Sequence, residues 1–458
     1  MKLTILGGGG FRTPFIWQAL LRDQGQPRLD ELALYDIDQS RMDTMLNIMR
    51  VEAEGFDDAP RVQTYTELEP ALEGADFIFA AIREAGLQAR CCDEHVALNL
   101  GVLGQETTGP GGLAYAIRTV PVMLHMARIT KRICPQAYFL NFTNPAGIIT
   151  EILQGVLGDR VLGICDTPSG LGRRIAELLG QENQDIQMDY VGLNHLGWMR
   201  RVLVDGHDLL PDLLSDERKL SKLEEAKVFD PDWLRSMGMV PNEYLFYYYF
   251  NRDAVSRILE SGMTRGDFLL KTQTRFYEQA AQAGEDADRI WRNALQERGA
   301  SYMAEALGGV QGAPTSNRKE EFDPAHLGYA GVALGVMNAI SRRENRIMIL
   351  NVRNRGTIAG LPDDVVVEVP TLVDGNGVHP LNVGEQPTMD QIGLMQQVRQ
   401  AERHAAKAGI EGSENEALLA FALHPLVQSV PIARKLLSGY RKAIPEMDAV
   451  LTRGADVI

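Results

Sequence analysis

Met1-Lys2-Leu3-Thr4-Ile5-Leu6-Gly7-Gly8-Gly9-Gly10-Phe11-Arg12-Thr13-Pro14-Phe15 opens the chain, and its reading decides the fold. Lys2 to Leu6 is a short apolar run of the kind that forms a strand buried on both faces. Glycines crowd its end, and Thr13-Pro14 reads as a cap and first-turn proline for a helix over Pro14 to Leu21, with Phe15 and Ala19 on one face. Strand, glycine turn and helix together predict the first unit of a doubly wound parallel sheet. Glycines at that turn let the backbone approach a pyrophosphate, which the helix N-terminus stabilises electrostatically.

Working outward, Glu31 to Tyr35, Asp76 to Ile82, Ala137 to Asn141 and Val161 to Cys165 are further apolar runs alternating with helical patterns. The expectation is an α/β chain: a Rossmann-like dinucleotide-binding domain over residues 1–185, then a mixed α+β, largely helical domain over 186–458. In the second part Gln187 to Leu193 and Met199 to Val204 resemble a hairpin, Ser215 to Lys227 is charged, and Val365 to Val369 reads as a strand. Asp205-Gly206 and Asp374-Gly375 are turn signals, and Met389 to Leu451 is helical by period and propensity. No repeat or low-complexity linker separates the halves, so a large shared interface is expected.

A formal net charge of -15 argues against nucleic acid or an anionic membrane as partner, while leaving local arginines able to hold a small anion. The longest apolar runs fall far short of the roughly 20 residues of a membrane span. Met1-Lys2 leads directly into a strand, so the cytoplasm is the expected location. Four cysteines, Cys91, Cys92, Cys134 and Cys165, do not form a disulfide framework in so long a chain.

Four stretches carry chemistry. Gly7, Gly8 and Gly9 stand where a pyrophosphate would bind, with Arg12 in place of a third glycine of the usual fingerprint. Asp36, after the second strand, would accept ribose hydroxyls and disfavour a 2′-phosphate, which points to NAD. Asn141-Phe142-Thr143-Asn144-Pro145 ends another strand, either facing a ligand or serving as a helix-capping turn. Cys165 with His195 is a half-site for a divalent metal, or else a buried thiol and a structural histidine. Asn242 to Phe250 is dense in aromatic rings, which suits a core or a subunit interface, and a tyrosine beside a metal could also act as a base.

The chain resembles glycoside hydrolase family 4 in seven ordered stretches after Gly7-Gly8-Gly9. These are Tyr35 to Asp38, Gly104 to Gly109, Asn141 to Pro145, Gly192 to His195, Tyr244-Leu245 with Tyr247-Tyr248, Arg298-Gly299 and Asn351 to Gly356. Within the family it looks closest to 6-phospho-β-glucosidases. The resemblance implies a chemistry unlike two-carboxylate hydrolysis. NAD removes hydride from sugar carbon 3, a base takes the acidified proton at carbon 2, the aglycone leaves from carbon 1, water adds, and the hydride returns.

Carried over by position, Cys165 and His195 would be metal ligands, with Mn(II) the usual ion of the family, although thiolate and imidazole alone suggest a softer one. Tyr244 would be the base, Asn144 would contact sugar and cofactor, and Arg83, Arg90 and Arg298 would bind substrate, the first two being candidates for the phosphate. Asp166 departs from the phospho-β-glucosidase pattern, which has Asn there; phospho-α-glucosidases have Asp, proposed to protonate the leaving oxygen. Its bland role is to cap the following helix. Arg12 is a second departure. A dimer or tetramer is expected from the family. The alternatives are a 6-phospho-α-glucosidase, an unphosphorylated glycoside or glycuronide hydrolase, a 2-hydroxy-acid dehydrogenase and an NAD-binding sensor.

Overall fold

A computed structural model describes residues 1–301 and 328–453. The apolar runs form strands β1 (Lys2–Leu6), β2 (Glu31–Tyr35), β4 (Phe77–Ala80), β5 (Tyr138–Asn141) and β6 (Val161–Gly163), while β3 (Arg61–Tyr65) adds an outer edge. All six are parallel, in the order β3-β2-β1-β4-β5-β6. This is the doubly wound order, in which strands are added outward to one side from β1 and to the other from β4, opening a crevice beyond the strand ends at the β1/β4 pair. Helices α1 (Thr13–Arg22), α2 (Gln39–Glu52), α3 (Leu68–Leu72), α4 (Gly86–Leu98), α5 (Pro110–Ile133), α6 (Ala146–Leu157) and α7 (Thr167–Leu178) form the connections.

Local readings are corrected at three places. β3 alternates between exposed and half-buried residues, so it carries no apolar run by which to recognise it. Thr13 is the first residue of α1, with Arg12 at the cap position and no side-chain capping bond. Strand β6 stops at Gly163, which leaves Cys165 in the turn beyond the strand end.

The hairpin is β7 (Gln187–Leu193) with β8 (Leu196–Val204), and β9 (His207–Asp208) and β10 (Val240–Pro241) lie beside β8. Far along the chain come β11 (Arg346–Arg353), β12 (Val366–Asp374) and β13 (Gly377–Pro380). These strands do not build a separate sheet. β11 pairs antiparallel with β6, β12 with β11, and β7 with β12, so among the described residues one 13-stranded sheet joins both halves. A single buried apolar cluster accordingly contains Leu3, Ile5 and Leu34 together with Trp198, Leu350 and Val367. The C-terminal stretch is helical, as expected, over Met389–Glu411, Glu414–Leu423, Val430–Ala443 and Pro445–Arg453.

Candidate active site

The glycine turn is built by backbone bonding. The Gly7 and Gly8 amides both donate to the Tyr35 carbonyl, at 2.9 and 2.8 Å. Gly7 has φ +93°, and a Cβ there would lie 2.8 Å from the Ala81 carbonyl oxygen, so no other residue fits without rearrangement. The Asp36 carboxylate accepts from the Gly9 amide at 3.0 Å and from the Asp38 amide at 3.1 Å. Gly7, Gly9 and Asp36 line a cavity of about 720 Å³ at the strand ends. Gly8 is not among its lining residues; a Cβ on it would meet Leu34 Cβ at 2.7 Å, so its role is close packing on β2.

Three aromatic donors from the second half hold this turn and the residues that follow it. Tyr277 Oη donates to the Gly9 carbonyl at 2.7 Å, Trp291 Nε1 to Phe11 at 2.9 Å, and Tyr329 Oη to Arg12 at 2.8 Å. The Arg12 guanidinium lies over the Tyr329 ring at 5.3 Å. Partners about 270 to 320 residues away leave no local signal in sequence.

Cys165, Asp166, Asn144, His195 and Tyr244 line the same cavity. The Asn144 side chain accepts from the Ala146 amide at 3.3 Å in the turn before α6, whose cap position is Pro145 without a side-chain capping bond, and Asn144 lines the cavity. Asp166 occupies the cap position of α7 but makes no side-chain capping bond, so its carboxylate is not spent on the helix. The aromatic run divides: Tyr244 and Tyr247 line the cavity, while Phe246 stacks on Phe250 at 5.4 Å in the core.

His195 sits in the β7–β8 turn with φ +62°, in the left-handed region. Its ring lies flat on the Tyr244 ring, 3.8 Å between centroids and 7° between planes. Thr107 Oγ1 lies 3.1 Å from Gln105 Oε1 and 3.0 Å from His195 Nδ1; with its hydroxyl directed at Gln105 it accepts from His195 Nδ1–H. That tautomer leaves the Nε2 lone pair for a metal. Burial pushes the imidazole pKa down to about 4, against the pull of Glu243 and Glu106, so the ring is neutral at physiological pH. Burial also holds the Cys165 thiol well above its ordinary value, with Glu368 and Asp166 adding to the effect and Thr167 opposing it. A metal held by this thiol would have to displace its proton.

A neutral imidazole of fixed tautomer and a buried thiol suit a divalent ion. Among the described residues no group of three His, Cys, Asp or Glu side chains is arranged to hold one. Two protein donors leave most of a coordination shell to oxygens from outside the chain, which favours a hard ion as much as a soft one.

Positive charge gathers along one side of the cavity. Arg83 Nη2 and Arg90 Nη1 both reach Glu106 Oε2, at 2.6 and 2.7 Å, and Arg90 also pairs with Glu94 at 3.0 Å. Burial works to raise the Glu106 pKa, but Arg90 and Arg83, with Arg298 adding, hold it down at about 2. Arg83 and Arg90 are therefore both ion-paired and cavity-lining, and Arg298 joins them in the lining from the helix Ala287–Ala300. Sequence reasoning missed Glu106 as the anchor of this cluster. It also missed a buried group behind the metal-ligand candidates, formed by Glu368, Tyr190, Asn351 and Asn242. Glu368 is pushed up to about 7 by burial, against hydrogen bonds from Asn194, Asn351 and Tyr190.

A doubly wound sheet with a glycine turn, an acidic residue after β2 and a Cys–His–Tyr cluster at the strand ends defines a dinucleotide-binding enzyme class. Comparison with known proteins narrows it. The profile described as "Family 4 glycosyl hydrolase" matches residues 2–181, and "Family 4 glycosyl hydrolase C-terminal domain" matches 190–427. The 6-phospho-beta-glucosidase of Thermotoga maritima is 30% identical over 441 residues, covering 95% of this chain and 97% of its own. A structure of the Thermotoga maritima 6-phospho-beta glucosidase with NAD and glucose-6-phosphate superposes with TM-score 0.82 at 28% identity, covering 98% of this chain and 99% of that one. A 6-phospho-alpha-glucosidase from gut microorganisms in complex with NAD and Mn2+ gives TM-score 0.80 at 28% identity, covering 97% and 98%. The chain belongs to family 4 of the glycosyl hydrolases.

Proposed function

We propose that this protein hydrolyses 6-phosphoglucosides, 6-phospho-β-glucosides foremost, with NAD and a divalent metal, Mn2+, as cofactors. The observation that carries the reading is the stacking of Tyr244 on His195, in one cavity with Cys165, the glycine turn and an arginine cluster. When bound, NAD supplies a reversible hydride acceptor for sugar carbon 3, and Mn2+ supplies polarisation of the oxygens on carbons 2 and 3.

Residues 1–185 provide the cofactor side in this reading, with Asp36 for the ribose. Residues 186–458 complete the substrate and metal site and the oligomer contacts, with the active site between the two parts. Cys165 and His195 hold the ion, and Asn144 contacts sugar and cofactor. Tyr244 removes the proton from carbon 2; its ring cannot tilt toward His195 without clashing, which fixes the angle of approach. The aglycone departs from carbon 1 with a proton supplied at its oxygen, and a water molecule replaces it. Arg83, Arg90 and Arg298 converge on Glu106, with Glu94 as a second carboxylate on Arg90, and this guanidinium cluster is the site for the 6-phosphate.

Asp166 favours a second reading, a 6-phospho-α-glucosidase, because its carboxylate lines the cavity without a capping bond and can protonate a leaving oxygen. Among the described residues no helix is long and apolar enough to cross a membrane, and we place the enzyme in the cytoplasm as a homodimer or homotetramer. The test is hydrolysis of α- and β-p-nitrophenyl glucoside 6-phosphates and their unphosphorylated parents, with and without NAD and Mn2+. Cleavage of the β-phosphate that needs both cofactors and accumulates no NADH is expected. Faster cleavage of the α-phosphate selects the second reading, net NADH formation indicates a dehydrogenase, and no cleavage of any of the four overturns the proposal.

A further inference from the structure

Glu368 is wholly buried on β12, and its three hydrogen-bond partners are neutral donors from separate elements. Asn351 Nδ2 donates to Glu368 Oε1 at 2.9 Å, Asn194 Nδ2 to the same oxygen at 3.1 Å, and Tyr190 Oη to Oε2 at 3.2 Å. Each partner leads to a reacting group. Asn194 precedes His195. Asn351 stands opposite Gly163 in the β6–β11 pairing, two residues before Cys165. Tyr190 Oη accepts from Asn242 Nδ2 at 3.2 Å, and Asn242 Oδ1 accepts from the Tyr244 amide at 3.1 Å.

The path closes on itself, because the rings of Tyr244 and His195 stack at its far end. Glycines keep a slot for it. Gly163, Asn351, Glu368, Gly192 and Gly197 form one row across five strands. A Cβ on Gly163 would lie 2.7 Å from Asn351 Cβ, and one on Gly197 would lie 2.4 Å from Tyr190 Oη. We infer that Glu368 is a positioning residue whose carboxyl group holds the elements bearing Cys165, His195 and Tyr244 in mutual register. The inference rests on the proposed roles of those three residues as metal ligands and base.

The experiment uses the full-length protein. Mn2+ is titrated into metal-free wild type, Glu368→Gln, Glu368→Leu and Tyr190→Phe, with free Mn2+ read by electron paramagnetic resonance; kcat and KM are then measured separately. Glu368→Leu is expected to weaken Mn2+ binding by roughly tenfold or more, and Glu368→Gln, which keeps an acceptor for both asparagines, to stay within about threefold of wild type. Tyr190→Phe cuts only the branch to Tyr244, so Mn2+ affinity should hold while kcat falls roughly tenfold or more at little change in KM. A folded Glu368→Leu with wild-type Mn2+ affinity overturns the inference. Should that variant not fold, a Tyr190→Phe kcat within about threefold of wild type overturns it instead. Wild type that binds no Mn2+ sinks the functional reading, a distinct outcome.

Discussion

Tyr244 shows how one residue's role depends on its neighbours. Its ring is flat on His195, and its amide is anchored by Asn242, so its position is set from both ends. Tyr244→Phe keeps the stacking and removes the hydroxyl. It is expected to lower kcat by roughly 10²–10⁴-fold, the usual worth of a general base, while Mn2+ affinity stays near wild type. Loss of proton exchange at carbon 2 in deuterated water would accompany the change, and wild-type kcat would remove Tyr244 from the role of base. Most of the site residues named from sequence meet at one cavity. They were legible because glycine turns, strand-end motifs and family-specific doublets are local. Glu106 and Glu368 were not, since a carboxylate acquires meaning only from the arginines or amides that the fold brings to it. Gly8 was legible as a glycine but not in its purpose, which depends on Leu34 of the next strand.

Between elements, α2 and the helix Ala287–Ala300 meet around Glu52, whose side chain is 3% exposed. It accepts from Gln18 Nε2 and lies 3.5 Å from Arg292, while its second oxygen has no hydrogen-bond partner among the described residues. Burial raises its pKa to about 7, with Asp288 adding and Gln18 and Arg292 opposing. Between pH 4.5 and 7 the folded protein keeps a proton that the unfolded chain has released. The stability associated with that proton is complete below the unfolded pKa and lost as pH rises through about 7, a change of roughly 3 kcal/mol. Glu52→Gln should therefore match wild type at about pH 4, below the unfolded pKa, and exceed it by about 3 kcal/mol at pH 8 in urea unfolding. A difference independent of pH would refute this assignment. Elements buried on both faces, such as β1 and β4, announce themselves as apolar runs, whereas the half-exposed edge β3 does not.

At the scale of the whole molecule, the two halves share a sheet as well as an interface. β6 bonds to β11, a strand nearly two hundred residues later, and the largest apolar cluster draws on both halves. Unfolding either half exposes the core of the other, so calorimetry of the free protein should give one transition. Two transitions separated by roughly ten degrees or more would mean that the halves fold independently.

By itself, the sequence determined the place of the glycine turn and the parallel, doubly wound strands save the edge strand, because each depends on periodicity or on neighbours within a few residues, while Cys165, His195 and Tyr244 were singled out by the family resemblance. Only the tertiary structure decided that the hairpin joins the parallel sheet through β11 and β12, that Tyr277, Trp291 and Tyr329 brace the glycine turn, and that Glu368 stands behind the site. Those contacts join residues far apart in the chain, and their energies come from burial and pairing that exist only once the sheet has closed.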